Sequence, residues 1–519
     1  MATAIAVVVC QCKLRYRSKT KQVIQVEQSI RSLENINSQN ERSLEILARA
    51  INLFQGSFSL IVVNCNYRSL RQKLLTALAA KTGLPYREIW WQSQETLYGK
   101  LQSLWRDGQI EEIPSLMCLG FEQTRPENLA DLFWDANLFR ERLKQQINCP
   151  LVLWLNDQEL QQLCISAPEL ANFAAPPIKF GLTSAELDTE VSQQLERLFE
   201  ITRDPQIPLF WQDTKIDADH EPFSYSELEL ARRELRIAQY KSNQEISLEL
   251  EAKLDFALGR LLWRSAESVA SDVYVESQGE VHSVSQIYYQ CSLSYWQKVD
   301  RPIESSIVLF YLGNLWWHNS FVNGRLAQAS WLKAKQFFEK AIAALKKANQ
   351  WDLIAKYSRA YSGVLEQLKQ WQELEIWIGS LLPLHQQMPL ELAQDYGYLA
   401  KIAVEKGLWQ QVKDYAGKAL ATLDQVPVFQ EEGLSHNWLR MRHIQRGQNQ
   451  LLLTQSYLQL KELELASSVI EATLSNFNFN YEPKLYIRFL DAFHDIAFAQ
   501  GRYLQAFQAR QRQRSLEQQ

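Results

Sequence analysis

Phosphate chemistry in an α/β protein needs a turn of small residues, and the place to look in this sequence is Asn64-Cys65-Asn66-Tyr67-Arg68-Ser69. The segment follows the apolar run 58–63 and precedes a helical pattern, so it is the first strand-to-helix turn. A working phosphate loop needs several glycines for its backbone N–H cradle, a lysine for the β/γ-phosphates and a Ser or Thr on Mg²⁺. This turn has no glycine and no lysine. Asn64, Asn66, Arg68 and Ser69 therefore mark a vestigial phosphate-loop position. The helix start could still attract an anion through its N–H groups, and the plainer expectation is that Asn66 or Ser69 simply caps the helix. The third apolar run ends Ser115-Leu-Met-Cys-Leu-Gly-Phe-Glu122 and lacks the Asp that would hold Mg²⁺. Glu122 then reads as a solvated turn residue, and Asn156-Asp157, closing the fourth run, as a polar sensor position or, equally well, with Asp157 as an N-cap.

Other reactive constellations are missing as well. The seven His form no His-x-x-x-His or His-Glu-x-x-His pair, and no Gly-x-Ser-x-Gly elbow occurs. Cys10-x-Cys12 stands without a second pair, whereas zinc wants four ligands. The sequence thus predicts no catalytic residue, no metal site and no cofactor. Seven scattered Cys make a poor disulfide framework. The run 4–10 is too short to span a membrane, and no later run reaches the roughly 18 apolar residues a spanning helix needs. A reduced, cytoplasmic location is expected. A net charge of −4 argues against a dedicated nucleic-acid binder. Lys13, Arg15, Arg17, Lys19 and Lys21 alternate with uncharged residues and would share one strand face, as a solvated edge or an anionic-partner site.

The elements around the turn follow from periodicity. Apolar runs at 58–63, 86–91, 115–119, 151–155 and 178–180 alternate with amphipathic helical stretches. Leu-Val-Leu-Trp-Leu at 151–155 is apolar throughout, as a strand covered on both faces must be. Five strands, each followed by a helix, imply a parallel, doubly wound sheet. Residues 205–224 carry three prolines among charged residues and read as a linker. Beyond them the pattern is helical. The Glu-rich stretch 227–251 contains Lys and Arg and reads as solvated helix faces, and the 16 Trp and 22 Phe as core filler between helices.

The clearest repeat is Tyr396-x-x-Leu399-Ala400-x-x-Ala403, then Gly407-Leu-Trp409, Val412, Ala416 and Ala419. Its register recurs through Leu309, Leu312, Gly313, Trp316 with Ala334, Phe338, Ala341; through Tyr361, Leu365 with Trp371, Leu374, Ile378, Leu381; through Leu453, Tyr457 with Leu463, Ala466, Ile470; and through Leu490, Phe493, Ala497 with Gly501, Tyr503, Ala506. This resembles the tetratricopeptide repeat. The first half is similar to a P-loop-type NTPase that has lost its loop, its lysine and its metal Asp. The combination resembles STAND-type signalling proteins, seen especially in cyanobacteria. The expected fold is an N-terminal doubly wound α/β domain followed by an α-solenoid. Its divisions are an N-terminal strand and basic arm (1–43), the degenerate NTPase-like domain (44–204), the linker (205–224), diverged hairpins (225–305) and the repeats (306–519).

The resemblance implies a concave groove lined by first helices. In this register Asn314, Lys356, Arg359 and Lys401 face it, with Trp317 and His318 alongside. Such donors match carboxylate oxygens and would clamp an acidic peptide; alternatively they solvate an empty face. The expected function is a non-catalytic protein-interaction scaffold. The alternatives are a nucleotide-responsive STAND-type switch and a sensor subunit whose effector is on another chain. Homo-oligomerisation is left open.

Overall fold

The computed structural model describes residues 36–91, 96–106, 113–123, 126–204, 224–242, 247–267, 275–322, 327–425 and 436–517. The basic segment Lys13 to Lys21, the Cys10/Cys12 pair and all but the last residue of the expected linker lie outside these. The chain divides into two compact units, Met1–Leu198 with Ala218–Tyr295, and Phe199–Asp217 with Trp296–Gln519.

The first unit begins with α1 (Ile36–Leu53), which starts inside the segment expected as an arm, and continues through β1 (Ser59–Cys65), α2 (Arg68–Thr82) and β2 (Arg87–Trp90). Then come α3 (Leu97–Arg106), β3 (Leu116–Leu119), a 3₁₀ turn at Phe121–Gln123, α4 (Pro126–Leu138), α5 (Arg140–Gln146) and β4 (Pro150–Leu155). The series closes with α6 (Asp157–Ser166), α7 (Pro168–Ala171), β5 (Ile178–Phe180) and α8 (Ser184–Arg203). The strands pair in parallel in the order β2-β3-β4-β1-β5.

Because successive strand side chains leave opposite faces, Ile61, Val63, Val152 and Trp154 enter one core with α1, α2 and α8. Leu60, Val62, Leu151 and Leu153 enter the other with α3 through α7. The helices therefore cover both faces, and the wholly apolar β4 follows from that. α2 carries the chain from β1 past β4 and β3 to the β2 edge, whereas the β4–β5 connection passes β1 on the other face. The carboxyl end of β1 thus lies where the connections part, which is the crevice in which open α/β sheets hold ligands.

Next come α9 (Tyr225–Ser242), α10 (Leu248–Glu267) and α11 (Val275–Lys298). The expectation of diverged hairpins at 225–305 needs correction. Leu228, Ala231 and Leu235 of α9 and Leu250, Leu254, Ala257 and Leu258 of α10 are buried in the same core as Ile61, Val63 and Trp154. Their apolar stripes complete the covering of the sheet.

The second unit contains five hairpins among the described residues: α12 (Pro302–Val322) with α13 (Ala327–Lys347), α14 (Trp351–Gln367) with α15 (Trp371–Leu381), α16 (Pro389–Glu405) with α17 (Trp409–Asp424), α18 (His436–Gln459) with α19 (Leu463–Asn476), and α20 (Pro483–Ala499) with α21 (Tyr503–Glu517). These are the hairpins the repeat register marks. Ala334, Ala341, Ala416, Ala419, Ala466, Ala497 and Ala506 are buried where helices approach, and the Phe338 ring fills the space a Cβ would take at Gly313.

One turn design recurs. Asn349, Lys369, Gly407, Lys461 and Gly501 all have φ between 54° and 75°. The residue after each donates its N–H back five residues, as in Gln370 to Leu365 O (3.0 Å), Leu408 to Ala403 O (2.9 Å) and Arg502 to Ala497 O (2.8 Å). This is the Schellman closure, in which a left-handed residue lets the chain satisfy the orphan carbonyls of a helix end. The last turn of α8 also belongs to this unit, with Phe199 packed edge-on against Trp296 at 5.8 Å.

Candidate ligand edge of the sheet

Three strand ends converge at the carboxyl edge. After β1, Asn64 is buried and its Nδ2 donates to Asp157 Oδ1 (3.0 Å). Asn66 Nδ2 donates to Asp157 Oδ2 (3.2 Å), and its Oδ1 accepts the Asp157 N–H (3.0 Å). Asp157 is therefore the first helical residue and a tie between loops. The N-cap of α6 is Asn156, in a reciprocal capping box with Glu159. After β3, Gly120 has φ 87°, and a Cβ there would press on the Trp91 backbone at 3.2 Å. The chain turns there and brings Glu122 onto Arg71, with Oε1 2.5 Å from Nη2 and both side chains buried. Arg68 Nε lies 4.0 Å from the same oxygen. Glu122 is thus not the solvated turn residue expected. Burial opposes its charge, but Arg71 outweighs that and holds its carboxyl below the usual range.

Neither Asn66 nor Ser69 caps α2. Its N-cap is Tyr67, without a side-chain bond. The Arg68 N–H instead donates to Glu227 Oε1 of α9 at 2.9 Å. The other Glu227 oxygen accepts the Ser224 N–H (2.8 Å), while Ser224 Oγ accepts the Glu227 N–H (3.2 Å), a capping box at the start of α9. One internal carboxylate therefore occupies the positive ends of two helices. Two turns further on, Glu234 accepts from the Tyr67 hydroxyl (2.6 Å) and from Asn66 Nδ2 (3.4 Å). Ser69 Oγ is buried without a hydrogen-bond partner among the described residues.

The acids here are perturbed by their surroundings. Burial, then Glu122, pushes Glu227 up to about 7. Burial raises Glu159 well above the usual range, again reinforced by Glu122, and burial also raises Glu234. The stretch 227–251, expected to be a solvated face, is partly internal. Arg232 is buried, with Nη2 2.7 Å from both Glu251 and Asp255, and Arg236 pairs with Glu251 at 2.6 Å. Sequence reasoning missed Glu227 and Glu234 as part of this edge. The pattern Ser224-x-x-Glu227 before an apolar run was the available signal, and it announces a helix start rather than a contact with Arg68.

The expected groove residues scatter in role. Lys356 is buried, and its amine donates to the carbonyls of Ile201 (2.9 Å), Thr202 (3.0 Å) and Asp204 (2.5 Å) at the end of α8. A lysine so placed serves the exposed carbonyls and negative pole of a helix, so it leaves the expected clamp. Burial lowers it to about 8. Arg359 is half-buried, with Nη2 4.0 Å from Met441 Sδ. Lys401 pairs with Glu366 (2.7 Å) and lies 5.1 Å over the Tyr398 ring. Asn314 and Trp317 are half-buried and His318 is exposed; the Trp317 indole packs against Gly363. Lys401 is held at Tyr398, whereas Lys356 is turned to the end of α8.

Sequence reasoning also missed a buried pair. His385 Nδ1 lies 2.6 Å from Asp395 Oδ2, and its Nε2 lies 3.2 Å from Ala355 O and 3.4 Å from Ser358 Oγ. The order resembles a nucleophilic triad, but the contacts oppose that chemistry. The Ser358 hydroxyl donates to Ala355 O (2.7 Å), Nε2 faces a carbonyl and so carries its hydrogen, and the three residues are 1–3% exposed. Burial disfavours the charged ring, but Asp395 outweighs it and raises His385 above its ordinary value. The group is a strut between α14 and α16. Among the described residues no set of His, Cys, Asp or Glu is grouped to hold a metal, and no helix is long and apolar enough to cross a membrane.

No family model and no curated protein matches the chain. Among solved structures it is similar to a Signal Transduction ATPase with Numerous Domains (STAND) protein with a tetratricopeptide repeat sensor from Pyrococcus horikoshii, at 13% identity, 88% of this chain, 86% of that chain and a TM-score of 0.29. It is also similar to a circular tandem repeat protein with novel repeat topology, at 14% identity, 92% of this chain, 99% of that chain and a TM-score of 0.18. Neither likeness bears on the chemistry of this chain.

Proposed function

We propose that this chain is a non-catalytic protein-interaction scaffold, in which stacked hairpins meet a protein partner and the α/β unit is a structural module closed by its own residues. The observation that carries this reading is the Arg68 N–H bonded to Glu227 at the start of α2. In an α/β sheet that N–H is a donor a phosphate would take. Here a triphosphate would have to displace an internal carboxylate and then lie beside Glu122, Glu234 and Asp157, all bound into the same network. Like charges at that range oppose it. On the repeat side, a stacked array offers an extended face for a protein, and the repeat register assigns Lys401, held over the Tyr398 ring, to it.

The test uses the full chain. Titration with ATP and Mg²⁺ in a calorimeter is expected to give no saturable heat, and added nucleotide no concentration-dependent rise in Tm. Saturable binding with turnover would sink the reading in favour of a nucleotide-responsive switch. In parallel, a partner recovered from native lysate is expected to be lost from the Lys401→Glu variant; undiminished recovery would remove the first-helix face from the interaction.

A further inference from the structure

The end of α8, residues 199–204, belongs to the hairpin unit and rests there on the first helices of the first two hairpins. A helix leaves its last carbonyls without donors of its own. Lys356 of α14 supplies three bonds to that end, at Ile201 O (2.9 Å), Thr202 O (3.0 Å) and Asp204 O (2.5 Å). The Tyr357 hydroxyl donates a second bond to Thr202 O (2.9 Å). Phe310 of α12 holds Tyr357 in place, the two rings stacked at 4.6 Å. One side-chain pair joins these bonds, from Arg203 Nη2 to Glu304 Oε1 of α12 at 2.7 Å. Lys356, Tyr357 and Thr202 are 1–4% exposed.

The four bonds from Lys356 and Tyr357 all end on main-chain carbonyls, and every helix end presents such carbonyls whatever its side chains. The ammonium also meets the negative pole of the helix, which is again independent of sequence. Only the Arg203–Glu304 pair is particular to this segment. Lys356 moreover stands where the repeat register places a partner-facing residue of a first helix. The chain thus fills with its own helix end a place that the repeats reserve for a ligand.

We propose that Lys356 and Tyr357 form a receptor for a helix carboxyl end, that the end of α8 is its ligand in cis, and that a protein partner using this part of the hairpins presents a helix end of the same kind. The last clause rests on the scaffold reading above. Such a partner replaces residues 199–204 on α12 and α14 rather than adding to them. Its helix end brings the carbonyls that Lys356 and Tyr357 bind, and a basic residue in its last turn takes the place of Arg203 on Glu304. Basic residues are favoured in the last turn of a helix in any case.

The experiment follows a fluorescein-labelled peptide copying residues 190–204 by anisotropy against three full-length chains. The peptide ends in an amide, so that no terminal carboxylate can pair with Lys356 in place of the carbonyls. Arg203→Glu sets a carboxylate against Glu304 and loosens the cis segment. This chain is expected to bind the peptide about tenfold more tightly than the unaltered one, the worth of a charge-assisted bond. Adding Lys356→Met is expected to weaken that binding by about tenfold or more. Hydrogen exchange over residues 199–204 is expected to be faster in Arg203→Glu than in the unaltered chain, with exchange in the strands unchanged. Should Arg203→Glu lose its circular dichroism, Arg203→Ala takes its place. Equal binding to all three chains, no binding to the Arg203 variant, binding that survives Lys356→Met, or exchange over 199–204 as slow as in the unaltered chain would each overturn the inference. ATP and Lys401 enter none of these measurements, so the scaffold reading and the helix-end receptor fail separately.

Discussion

Glu227 accepts two backbone N–H groups from two helices while only 4% exposed. Those bonds favour its charge, but burial and the neighbouring Glu122 win, and its carboxyl is pushed up to about 7. In the unfolded chain a glutamate titrates near 4.3. Between these two values the folded protein holds a proton that the unfolded chain has released, so this group makes stability fall as pH rises across the window. Each pH unit separating the two values corresponds to about 1.4 kcal/mol. Glu227→Gln removes the titration and keeps one acceptor oxygen of the two. Urea unfolding at about pH 5 is therefore expected to show the variant less stable by about 1 kcal/mol, for the lost acceptor. The stability difference should narrow or reverse towards about pH 7, where the unaltered carboxyl begins to carry its buried charge. Glu159, raised by burial and in part by Glu227 itself, is expected to relax towards the usual range in the variant, so its change adds to the same comparison. Parallel pH profiles for the two proteins would show that Glu227 titrates normally in the fold.

At the scale of elements, the hairpin turns set the register of the second unit. Lys461 holds φ 63° and Gly407 φ 69°, in the same Schellman position. A side chain there carries a Cβ against the following carbonyl, at a cost of about 1 kcal/mol. Lys461→Gly should stabilise by somewhat less than that, since glycine also loses more freedom on folding, and Gly407→Ala should destabilise by about 1 kcal/mol. No neighbouring atom lies within 4 Å of a Cβ built at Gly407, so the thermal shifts report backbone conformation alone; equal effects of either sign at both turns would contradict the shared geometry. These elements were largely legible in the sequence. The strands announced themselves as short apolar runs because both faces of the sheet are covered, and the hairpins by alanines and turn residues at fixed offsets. The polar edge was half legible. Local spacing located Asn64 to Ser69 as the first strand-to-helix turn, but the carboxylate that fills it comes from Glu227, more than 150 residues away. Helical periodicity marks which face of α9 is apolar; it carries nothing about which orphan N–H a capping carboxylate will find. Lys356 escaped for the same reason. Its register position is that of a groove residue, and only the presence of the end of α8 makes it a buried helix cap.

For the molecule as a whole, the two units each have buried cores of their own, one around Val152 and Leu153 on the faces of the sheet and another around Ile470 and Phe489 in the hairpins. Units with separate cores lose their cooperativity with one another before they lose it internally, and a chain built this way does not unfold in one step. The sheet unit closes on itself through long-range strand pairing, so it is expected to melt as a single transition. The hairpin unit is stabilised by intrinsic and nearest-neighbour terms along one direction, so it is expected to melt more broadly. Leu153→Ala deletes a fully buried side chain between sheet and helices, and Ile470→Ala one between hairpins; each should cost about 2–5 kcal/mol. Calorimetry of the full chain should then show Leu153→Ala lowering the sharper transition and Ile470→Ala the broader one, each leaving the other in place. If both variants instead moved one common transition by similar amounts, the cores would be thermodynamically a single body, and the division into two units would hold for geometry but not for energy.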